Sequence, residues 1–510
     1  MNGDVSATWR YHDGTKHSQQ SVRSSTHLLD YDIMPLPYKI YPSLDPISLP
    51  HEFTPSEIPA LDAIAASSDF PEADTTPSLL SLARLCFFSN GITKRIRRGN
   101  WQLDFRAAAC TGALFHIEVY FVCQDIPGLE AGVYHYGSHD HALRRLRSGD
   151  YRGVLREATG NEPSIAEAPV VAICTSTFWR NAWKYQARAY RHTFWDSGTI
   201  LANLLTEAAA MRIPARLVLG FADTTVNQLL DIDAEREAAV SMVALGGHAD
   251  RLPDAPPQAR LHLPTIPLSP REVDYPAIRE MHAASSLGSG EGAAAWRSKR
   301  PSRSSPAVTG TLVPLQPMDT AALPDQSIDQ VIRRRGSARQ FARESIRFDQ
   351  LSTMLVHAVH GIPCDCIDQG DWPLGDAYLI VNAVDGLESG TYVLHPDDRA
   401  LELLRPGNYR ERAGALALGQ ALGAEAAVNV YFMVDLEPVL AAFGNRGYRV
   451  AQLHPAVIAG RLYLAAYALG LGATGLTFFD DEVTAFFAPH GATKSVMFLI
   501  ALGQPAKRVA

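Results

Sequence analysis

A lysine and a tyrosine stand side by side in the stretch WKYQARAYRH, where Lys184 and Tyr185 precede the sequence Arg-Ala-Tyr-Arg at 188–191. A second stretch, FGNRGYRV, repeats the Arg-x-Tyr-Arg pattern but has Ala442 and Phe443 at the positions of the pair. A neutral lysine can accept a proton, and a tyrosine hydroxyl can relay one or orient a substrate carbonyl. Lys184 and Tyr185 are therefore candidate catalytic residues in one copy of a repeated pattern.

A lysine acts as a base only where its surroundings favour the uncharged form. Burial and nearby positive charges both have that effect. We therefore expect Lys184 to be buried among aromatic residues with two arginines close by, namely Trp179, Trp183, Tyr185, Phe194, Arg180 and Arg188. The alternative is a lysine whose charged end reaches solvent beside a core tyrosine.

A second candidate site lies in RRRGSARQF, at 333–341. Its residues Arg335 and Arg339 are suited to charge-assisted hydrogen bonds with phosphate oxygens, and Ser337 adds a hydroxyl donor. The pattern predicts an anion clamp. An exposed basic end of a helix is the alternative.

The chain contains an internal repeat. PGLEAGVYHYG closely matches DGLESGTYVLH further along the chain. One constant shift in numbering takes Pro127 to Asp385, Arg188 to Arg446, and Gly112 to Gly370. Such a duplication predicts two domains of one fold, arranged as a pseudo-dimer within one chain.

Each half has a mixed pattern of secondary structure. Residues 115–123 and 376–384 are β-rich, while 197–211 and 455–470 have the length and periodicity of buried helices. GVYHY and HALRRLR are typical of short strands around a turn, and VSMVALG and SVMFLIALG of closing strands. The fold class expected is α+β, with two tandem domains of mostly antiparallel sheet packed with helices.

The two copies are separated by a segment rich in Ser, Gly, Ala and Pro. Because it shows no sustained periodicity, we interpret 255–325 as a linker that is partly mobile. The domains are then expected at 1–254, which carries the Lys-Tyr pair, and at 326–510, which carries the clamp.

Composition narrows the classes of function. A formal net charge of −8 argues against a general nucleic-acid-binding protein, and six irregularly spaced cysteines fit a reducing cytoplasm. The first residues are polar, and no apolar run approaches the roughly 20 residues that a membrane helix needs. We expect a cytoplasmic protein with no nucleic-acid or membrane partner. No metal site is expected. His135, His139 and His141 are interpreted as part of a polar hairpin turn, and Cys364-Asp-Cys366 lacks a second cysteine pair.

Several stretches together resemble one family. RRRGSARQF, ATGLTFFDDEV at 473–483, GVYHY and WKYQARAYRHTFWDSG resemble the nitroreductase superfamily of FMN enzymes, and in particular the SagB-type dehydrogenases in their tandem form. The resemblance covers nearly the whole chain outside the linker. It implies the nitroreductase α+β fold, in which FMN lies between two subunits. One subunit supplies an Arg-x-Ser-x-Arg clamp, and the other supplies a loop rich in Pro and Ser.

The resemblance implies specific contacts with FMN. The clamp corresponds to Arg335, Ser337 and Arg339, and the loop to Ala109-Cys110-Thr111-Gly112. The family pattern in the loop is close to Pro-Ser-Ala-Gly, so both the proline and the serine are replaced here. We expect backbone N–H groups and Gly112 to serve instead. The backbone of Gly475, Leu476 and Thr477 is expected near flavin N5, and Lys507 and Arg508 near the phosphate unless they form a solvated tail.

The two halves carry complementary parts of this site. The segment before the first-half helix has no cation until Arg84, so it cannot form the clamp. The second half keeps only Gly370 of the loop and lacks the Lys-Tyr pair. We therefore expect one composite FMN site per chain and an inactive pseudo-equivalent site.

By resemblance, SagB-type enzymes oxidise azolines to azoles in modified peptides. The implied function is an FMN-dependent dehydrogenase or oxidase that acts on a peptide- or amino-acid-derived natural-product intermediate, either free or bound to a carrier or partner enzyme. Two alternatives remain open. One is an NAD(P)H-dependent reductase of nitro, quinone or enone compounds, and the other is a degenerate flavin-binding or scaffold subunit. Further homodimerisation of the chain is also left open.

Overall fold

The structure is a computed structural model that describes residues 2–66, 75–99, 101–247, 249, 252–301, 307–367 and 374–506. Helices of the first half are α1 (Ser6–Gly14), α2 (Gln19–Arg23), α3 (Ala60–Ala65), α4 (Leu79–Asn90), α5 (Arg152–Ala158), α6 (Pro163–Glu167), α7 (Phe178–Tyr185), α8 (Ala189–Ala210) and α9 (Asp223–Leu229). Its strands are β1 (Pro46–Ser48), β2 (Ile92–Arg98), β3 (Trp101–Arg106), β4 (Ile117–Cys123), β5 (Gly132–Gly137), β6 (Ala142–Ser148), β7 (Val170–Thr177), β8 (Ala215–Val218) and β9 (Glu237–Leu245).

The remaining elements follow in chain order. The helices are α10 (Pro276–Ala284), α11 (Gly290–Arg297), α12 (Ile328–Arg334), α13 (Phe348–Ala358), α14 (Arg410–Leu416), α15 (Ala421–Glu425), α16 (Leu436–Phe443), α17 (Arg446–Ala468) and α18 (Asp480–Phe486). The strands are β10 (Thr311–Pro314), β11 (Ile346–Arg347), β12 (Asp376–Val381), β13 (Val384–Asp385), β14 (Gly390–His395), β15 (Ala400–Pro406), β16 (Val428–Val434), β17 (Gly472–Leu476) and β18 (Ser495–Gly503).

Each half is built on a seven-stranded antiparallel sheet. The order is β1-β6-β5-β4-β7-β9-β8 in the first half and β10-β15-β14-β12-β16-β18-β17 in the second, so the two sheets correspond strand by strand. Short two-stranded sheets, β2-β3 and β11-β13, lie outside them. The α+β fold class predicted from the sequence is confirmed.

The long helices α8 and α17 cross at the centre and join the halves. A Cβ atom added to Gly198 would lie 2.5 Å from the Cβ of Ala456, and one added to Gly460 would lie 2.5 Å from the Cβ of Ala202. Only small residues permit so close an approach of two backbones. The halves therefore share one continuous core.

Each Arg-x-Tyr-Arg copy binds a buried aspartate of the opposite half. Arg446 and Arg449 both donate to Asp223, each over 2.6 Å, and the first copy binds Asp480 in the same way over 3.0 and 2.7 Å. Burial disfavours the charged carboxylates, but the paired guanidinium groups outweigh it and lower the pKa of each to about 2. The repeated pattern is thus a contact between the halves.

Some boundaries differ from those expected. Helix α8 begins at Ala189 and α17 at Arg446, several residues before the predicted 197 and 455, because the buried arginines form the first turns. The segment 255–325 contains α10, α11 and β10, with Trp296 buried, so it carries more ordered structure than a linker requires. A short helix that is held to the core by one buried side chain, such as Trp296, leaves little periodicity in the sequence. The domain limits remain a prediction.

In the described part of the chain, no helix combines the length and the apolar character that crossing a bilayer requires.

Candidate active site

Lys184 and Tyr185 end α7, at the point where the chain turns sharply into α8. The turn places Gln186 at a φ of 50° and a ψ of −141°. The Nζ atom of Lys184 lies 5.4 Å from the centre of the Tyr185 ring. That ring meets the His192 ring edge-on at 4.6 Å. Burial raises the pKa of the Tyr185 hydroxyl, and the Asp196 carboxylate raises it further. The phenol is therefore un-ionised at neutral pH.

The burial expected around Lys184 is not found. Trp183 is buried, but Lys184, the next residue of the final turn of α7, is only partly buried. The guanidinium groups of Arg180 and Arg188 are each paired with a buried carboxylate. The sequence had indicated that these two charges, close to Lys184 along the chain, would favour its uncharged form, but each is offset by its carboxylate partner. The difference arises because α7 directs its aromatic face inward and leaves its last turn partly open to solvent.

The loop that ends at Gly112 lies directly against Tyr185. Gly112 is exposed and has a φ of 65°, and a Cβ atom there would lie 2.8 Å from the Tyr185 hydroxyl. The side chains of Cys110 and Thr111 turn the other way, toward Asp196 in α8. Its carboxylate accepts the Thr111 N–H over 2.9 Å and the Thr111 hydroxyl over 2.7 Å. The thiol of Cys110 and both the hydroxyl and the backbone N–H of Thr111 are therefore already engaged, so the Thr111 N–H is not free for a cofactor as the sequence had indicated. Gly112 is the part of the loop that remains open toward Tyr185.

Asp196 is a site residue that the sequence patterns did not indicate. Besides Thr111, it contacts the Cys110 sulfur at 3.1 Å and His116 Nε2 at 2.9 Å. Burial and this carboxylate both raise the pKa of the Cys110 thiol, so the thiol stays protonated. One signal was available, because the repeat places His454 at the equivalent position of the second half. A carboxylate in one copy alone indicates a role specific to that copy.

The loop is completed at Ala109, whose main-chain oxygen accepts the Thr199 hydroxyl over 2.7 Å. Thr199 belongs to α8, as Asp196 does. The whole loop is thus fastened to the helix that crosses to the second half.

Arg335 brings the clamp to this loop. Its Nε donates to the main-chain oxygen of Ala107 over 2.8 Å, and its Nη2 donates to that of Arg106 over 3.0 Å. Ser337 Oγ lies 3.4 Å from the hydroxyl of Tyr463. Two of the three guanidinium nitrogens of Arg335 therefore hold the loop. The sequence had predicted a guanidinium group with both of its terminal nitrogens free to bind phosphate.

Two donors of the clamp remain unoccupied by protein. For Nη1 of Arg335, no acceptor is found among the described residues. Arg339 is exposed, and its guanidinium has no partner in the described part of the chain. Both are thus available to an anion.

Strand β17 contributes an open edge. Gly475 is exposed, and a Cβ atom added to it would have no neighbour closer than 3.5 Å. Its N–H donates to the Tyr463 hydroxyl, so it is not free for a flavin atom as the sequence had indicated. Leu476 is buried. The buried hydroxyl of Thr477 has no hydrogen-bond partner among the described residues, so it is free to bond to another molecule.

A line of aromatic rings connects the two sides of the site. Tyr185 contacts His192, whose ring lies 4.9 Å from that of Trp195. Trp195 in turn lies 5.7 Å from Phe498, and Phe498 lies beside Gly475. Packed rings therefore link the Lys-Tyr pair of the first half to β17 of the second half.

The pseudo-equivalent region is filled by the protein itself. The Asp365 carboxylate accepts the backbone N–H groups of Leu219 and Gly220, each over 2.9 Å, just beyond β8. Trp296 packs against Gly220, where a Cβ atom would lie 3.0 Å from the indole. The same indole packs at a tilt of 39° against Phe443, with ring centres 4.9 Å apart. No comparable insertion covers β17 within the described residues.

Of the remaining predicted contacts, Lys507 and Arg508 lie outside the described residues.

Three observations on the other predicted residues fit an FMN molecule. They are the unpaired donors of the clamp, the unpartnered hydroxyl of Thr477, and the exposed glycines Gly112 and Gly475, which allow close approach to the backbone.

Comparison with known proteins supports the fold and part of the function. Residues 121–247 match the model of the nitroreductase family. A crystal structure from Anabaena variabilis, of a protein assigned as a nitroreductase, superposes with a TM-score of 0.77 at 27% identity. The match covers 98% of this chain and 99% of that one. The two-half architecture is therefore shared over the full length.

Two relatives are named as processing proteins of trifolitoxin and of microcin B17. The trifolitoxin-processing protein TfxB of Rhizobium leguminosarum is 30% identical over 28% of this chain and 40% of its own length. The microcin B17-processing protein McbC of Escherichia coli is 27% identical over 27% of this chain and 52% of its own length. This chain thus matches about half or less of each relative.

Proposed function

We propose that the chain is an FMN-dependent oxidoreductase of the SagB dehydrogenase type, with one composite site per chain. The observation that carries the proposal is the meeting of the two sets of residues. Arg335 of the second half holds the carbonyls that begin the loop of the first half, and Gly112 at the end of that loop touches Tyr185. Neither half has both sets.

FMN would supply a two-electron acceptor for hydride. Arg339 and the free Nη1 of Arg335 would hold its phosphate with charge-assisted hydrogen bonds, and Ser337 would add a hydroxyl. The backbone at Gly112 and Gly475 leaves space for the ring. The filled region beside Asp365 and Trp296 supports a single site, because a second flavin would have to displace both side chains.

Lys184 and Tyr185 would handle the substrate proton. In its neutral form, Lys184 accepts the proton from the Cα atom, and its partial exposure lets that proton leave to solvent. Tyr185, un-ionised, donates a hydrogen bond to the substrate carbonyl. His192 stays neutral because burial lowers its pKa well below the ordinary value, and nearby Arg188 lowers it further. It therefore supports the Tyr185 ring without adding a charge.

The substrate class follows from the relatives and the Lys-Tyr pair together. We propose a two-electron oxidation, azoline to azole or a similar desaturation, of a peptide- or amino-acid-derived intermediate. TfxB and McbC are named as processing proteins of trifolitoxin and microcin B17. A base beside the site supports removal of a Cα proton, which such an oxidation requires.

An NAD(P)H-dependent reductase of nitro, quinone or enone compounds is the second candidate. The partial exposure of Lys184 favours it, because a reductase requires no substrate base. The two functions differ in the direction in which the flavin is used. Anaerobic mixing of the purified protein with NADPH should leave the flavin oxidised under the dehydrogenase proposal and bleach it rapidly under the alternative.

Flavin content tests the composite site directly. Acid-released flavin is identified by chromatography and divided by the protein concentration. We expect FMN in a ratio near one per chain. A ratio near two would contradict the composite site, and a protein that neither contains nor takes up FMN would indicate a scaffold subunit.

A further inference from the structure

The connection between α4 and β4 differs from its counterpart in the second half. Residues 91–116 make this connection and include the antiparallel pair β2-β3, whereas the shorter segment 359–375 joins α13 to β12. The described part of the shorter segment has no named strand. The hairpin at 92–106 is thus an addition to the half that carries the loop and the Lys-Tyr pair.

This hairpin, which we call the cationic arm, is basic in a chain of negative net charge. Strand β2 reads ITKRIRR, while the acidic residue of the arm is Asp104. Asp104 is occupied by Arg95, at 2.7 Å. Lys94 is exposed with no side-chain partner among the described residues, and exposed Arg97 binds the neutral Gln102. The arm therefore presents uncompensated positive charge, although the chain as a whole carries −8.

The base of the arm is rigidly attached next to the candidate active site. Arg106, its last residue, donates to Asn90 over 2.9 Å and to the main-chain oxygen of Pro37 over 2.6 Å. The Tyr38 hydroxyl binds Asp104. The residue that follows Arg106 begins the loop held by Arg335. Whatever binds the arm is thereby held beside that loop.

The basic surface continues beyond the arm. The exposed guanidinium of Arg333 lies 4.8 Å from the centre of the Phe87 ring, in the last turns of α4, which leads into β2. Positive charge therefore extends from the arm toward the clamp helix α12.

Basic residues on an exposed strand often serve only to prevent edge-to-edge pairing. That role does not explain the arm itself. The second half forms the same main sheet with a shorter connection, and the hydrophobic residues of the arm, such as Ile96 and Leu103, are only partly buried. The main sheet therefore forms in the second half without such an arm, and the exposed part of the arm is not explained by the sheet.

We propose that the cationic arm binds an acidic peptide segment, rich in Asp and Glu, that accompanies the substrate. This inference rests on the proposed function for its biological meaning, since it assigns a docking surface to a peptide-derived substrate. Charge complementarity would raise the rate of encounter and hold the reacting part of the peptide near the loop.

The test uses the full chain and a fluorescein-labelled decaglutamate peptide, with binding followed by fluorescence anisotropy. We expect saturable binding at low ionic strength that weakens strongly at about 0.5 M NaCl, where charges are screened within a few ångströms. Lys94→Glu combined with Arg97→Glu should weaken binding by about tenfold or more. Arg260→Glu with Arg399→Glu, at exposed positions outside the arm, makes the same change in net charge and should leave binding unaltered.

Three results would overturn the docking proposal. They are no saturable binding by the wild-type chain, equal weakening by the control pair, or tighter arm-dependent binding of a labelled decathymidylate, which would indicate a nucleic-acid surface. The milder pair Lys94→Gln with Arg97→Gln removes the two charges without reversing them. Thermal unfolding of this variant shows whether weaker binding occurs in a folded protein. FMN content separates the two proposals. Arm-dependent peptide binding by a protein that takes up no FMN would refute the proposed function and leave the docking surface standing.

Discussion

The Nε atom of Arg335, in the second half, donates to the main-chain oxygen of Ala107, in the first half, over 2.8 Å. This contact links the clamp to the loop, so Arg335 has two roles in the proposed site. It positions the backbone that leads to Gly112, and its third nitrogen remains available to a phosphate.

Replacement of Arg335 tests both roles. Arg335→Ala should weaken FMN binding by about 10–100-fold, since hydrogen bonds to charged groups contribute about 1.5–3 kcal/mol. Flavin titration of the apoprotein, followed by fluorescence, measures the dissociation constant. Arg333→Ala is the matched control, because Arg333 is exposed and packs on Phe87 instead of the loop. Equal affinities in the two variants would remove Arg335 from the cofactor site.

Lys184→Ala separates proton transfer from flavin binding. FMN content and photochemical reduction should be unchanged, while turnover of an azoline substrate should fall by about 10²–10⁴-fold. Lys184→Arg should restore little, because a guanidinium keeps its proton at any working pH. Wild-type turnover by Lys184→Ala with full flavin content would refute the base and favour reductase chemistry.

Gly112 and Tyr185 should be energetically coupled. Gly112→Ala places a methyl group 2.8 Å from the Tyr185 hydroxyl and 3.1 Å from its Cε2 atom, at a φ that favours glycine. We expect lower FMN affinity and a lower Tm. Adding Tyr185→Phe removes the closest atom, so the double variant should recover part of the loss. Strictly additive effects in the four-member cycle would show that the two residues do not touch.

The contact between the halves should depend on pH. Asp480 has a folded pKa of about 2, below its ordinary value of 3.8, so its ion pairs stabilise the fold fully above about pH 4. That contribution, about 2 kcal/mol, is lost as the pH falls toward 2. Asp480→Asn should lower the free energy of unfolding at neutral pH by about 3–5 kcal/mol, because two buried guanidinium groups lose their partner.

Asp481→Asn is the control for this experiment. Asp481 is exposed and pairs with Lys16 at the surface, so its replacement should cost less than about 1 kcal/mol. Urea unfolding between about pH 2 and 7 measures both variants. A pH profile of Asp480→Asn as steep as that of the wild-type chain in the acidic range would show that Asp480 is not the titrating group.

The repeat made the architecture predictable. Matching stretches such as those beginning at Pro127 and Asp385 imply the same strands in the same order, and the two sheets do correspond strand by strand. The strands β4 and β18 were located closely, because buried apolar runs leave a clear pattern. The cationic arm was missed. Its exposed, charged strands lack that pattern, and it has no partner in the repeat.

The side-chain environments were less predictable. Lys184 was expected to be buried and is partly exposed, since the direction of α7 on the core decides which residue of its last turn faces solvent. Asp196 was not recognised, because its partners Thr111 and His116 are distant in sequence. The filling of the pseudo-equivalent region depends on Trp296, which lies in the segment interpreted as a linker.

Residue types and their spacing were enough to predict the duplication, the α+β class and the division of the candidate residues between the halves. Which of those residues meet depends on how the chain folds in three dimensions. The Arg-x-Tyr-Arg copies bind Asp223 and Asp480, and Arg335 holds the loop. The physical reason is that hydrogen bonds and ion pairs depend on distances of about 3 Å between atoms far apart in sequence. Such distances are set by the crossing of α8 and α17 and leave no trace in local spacing.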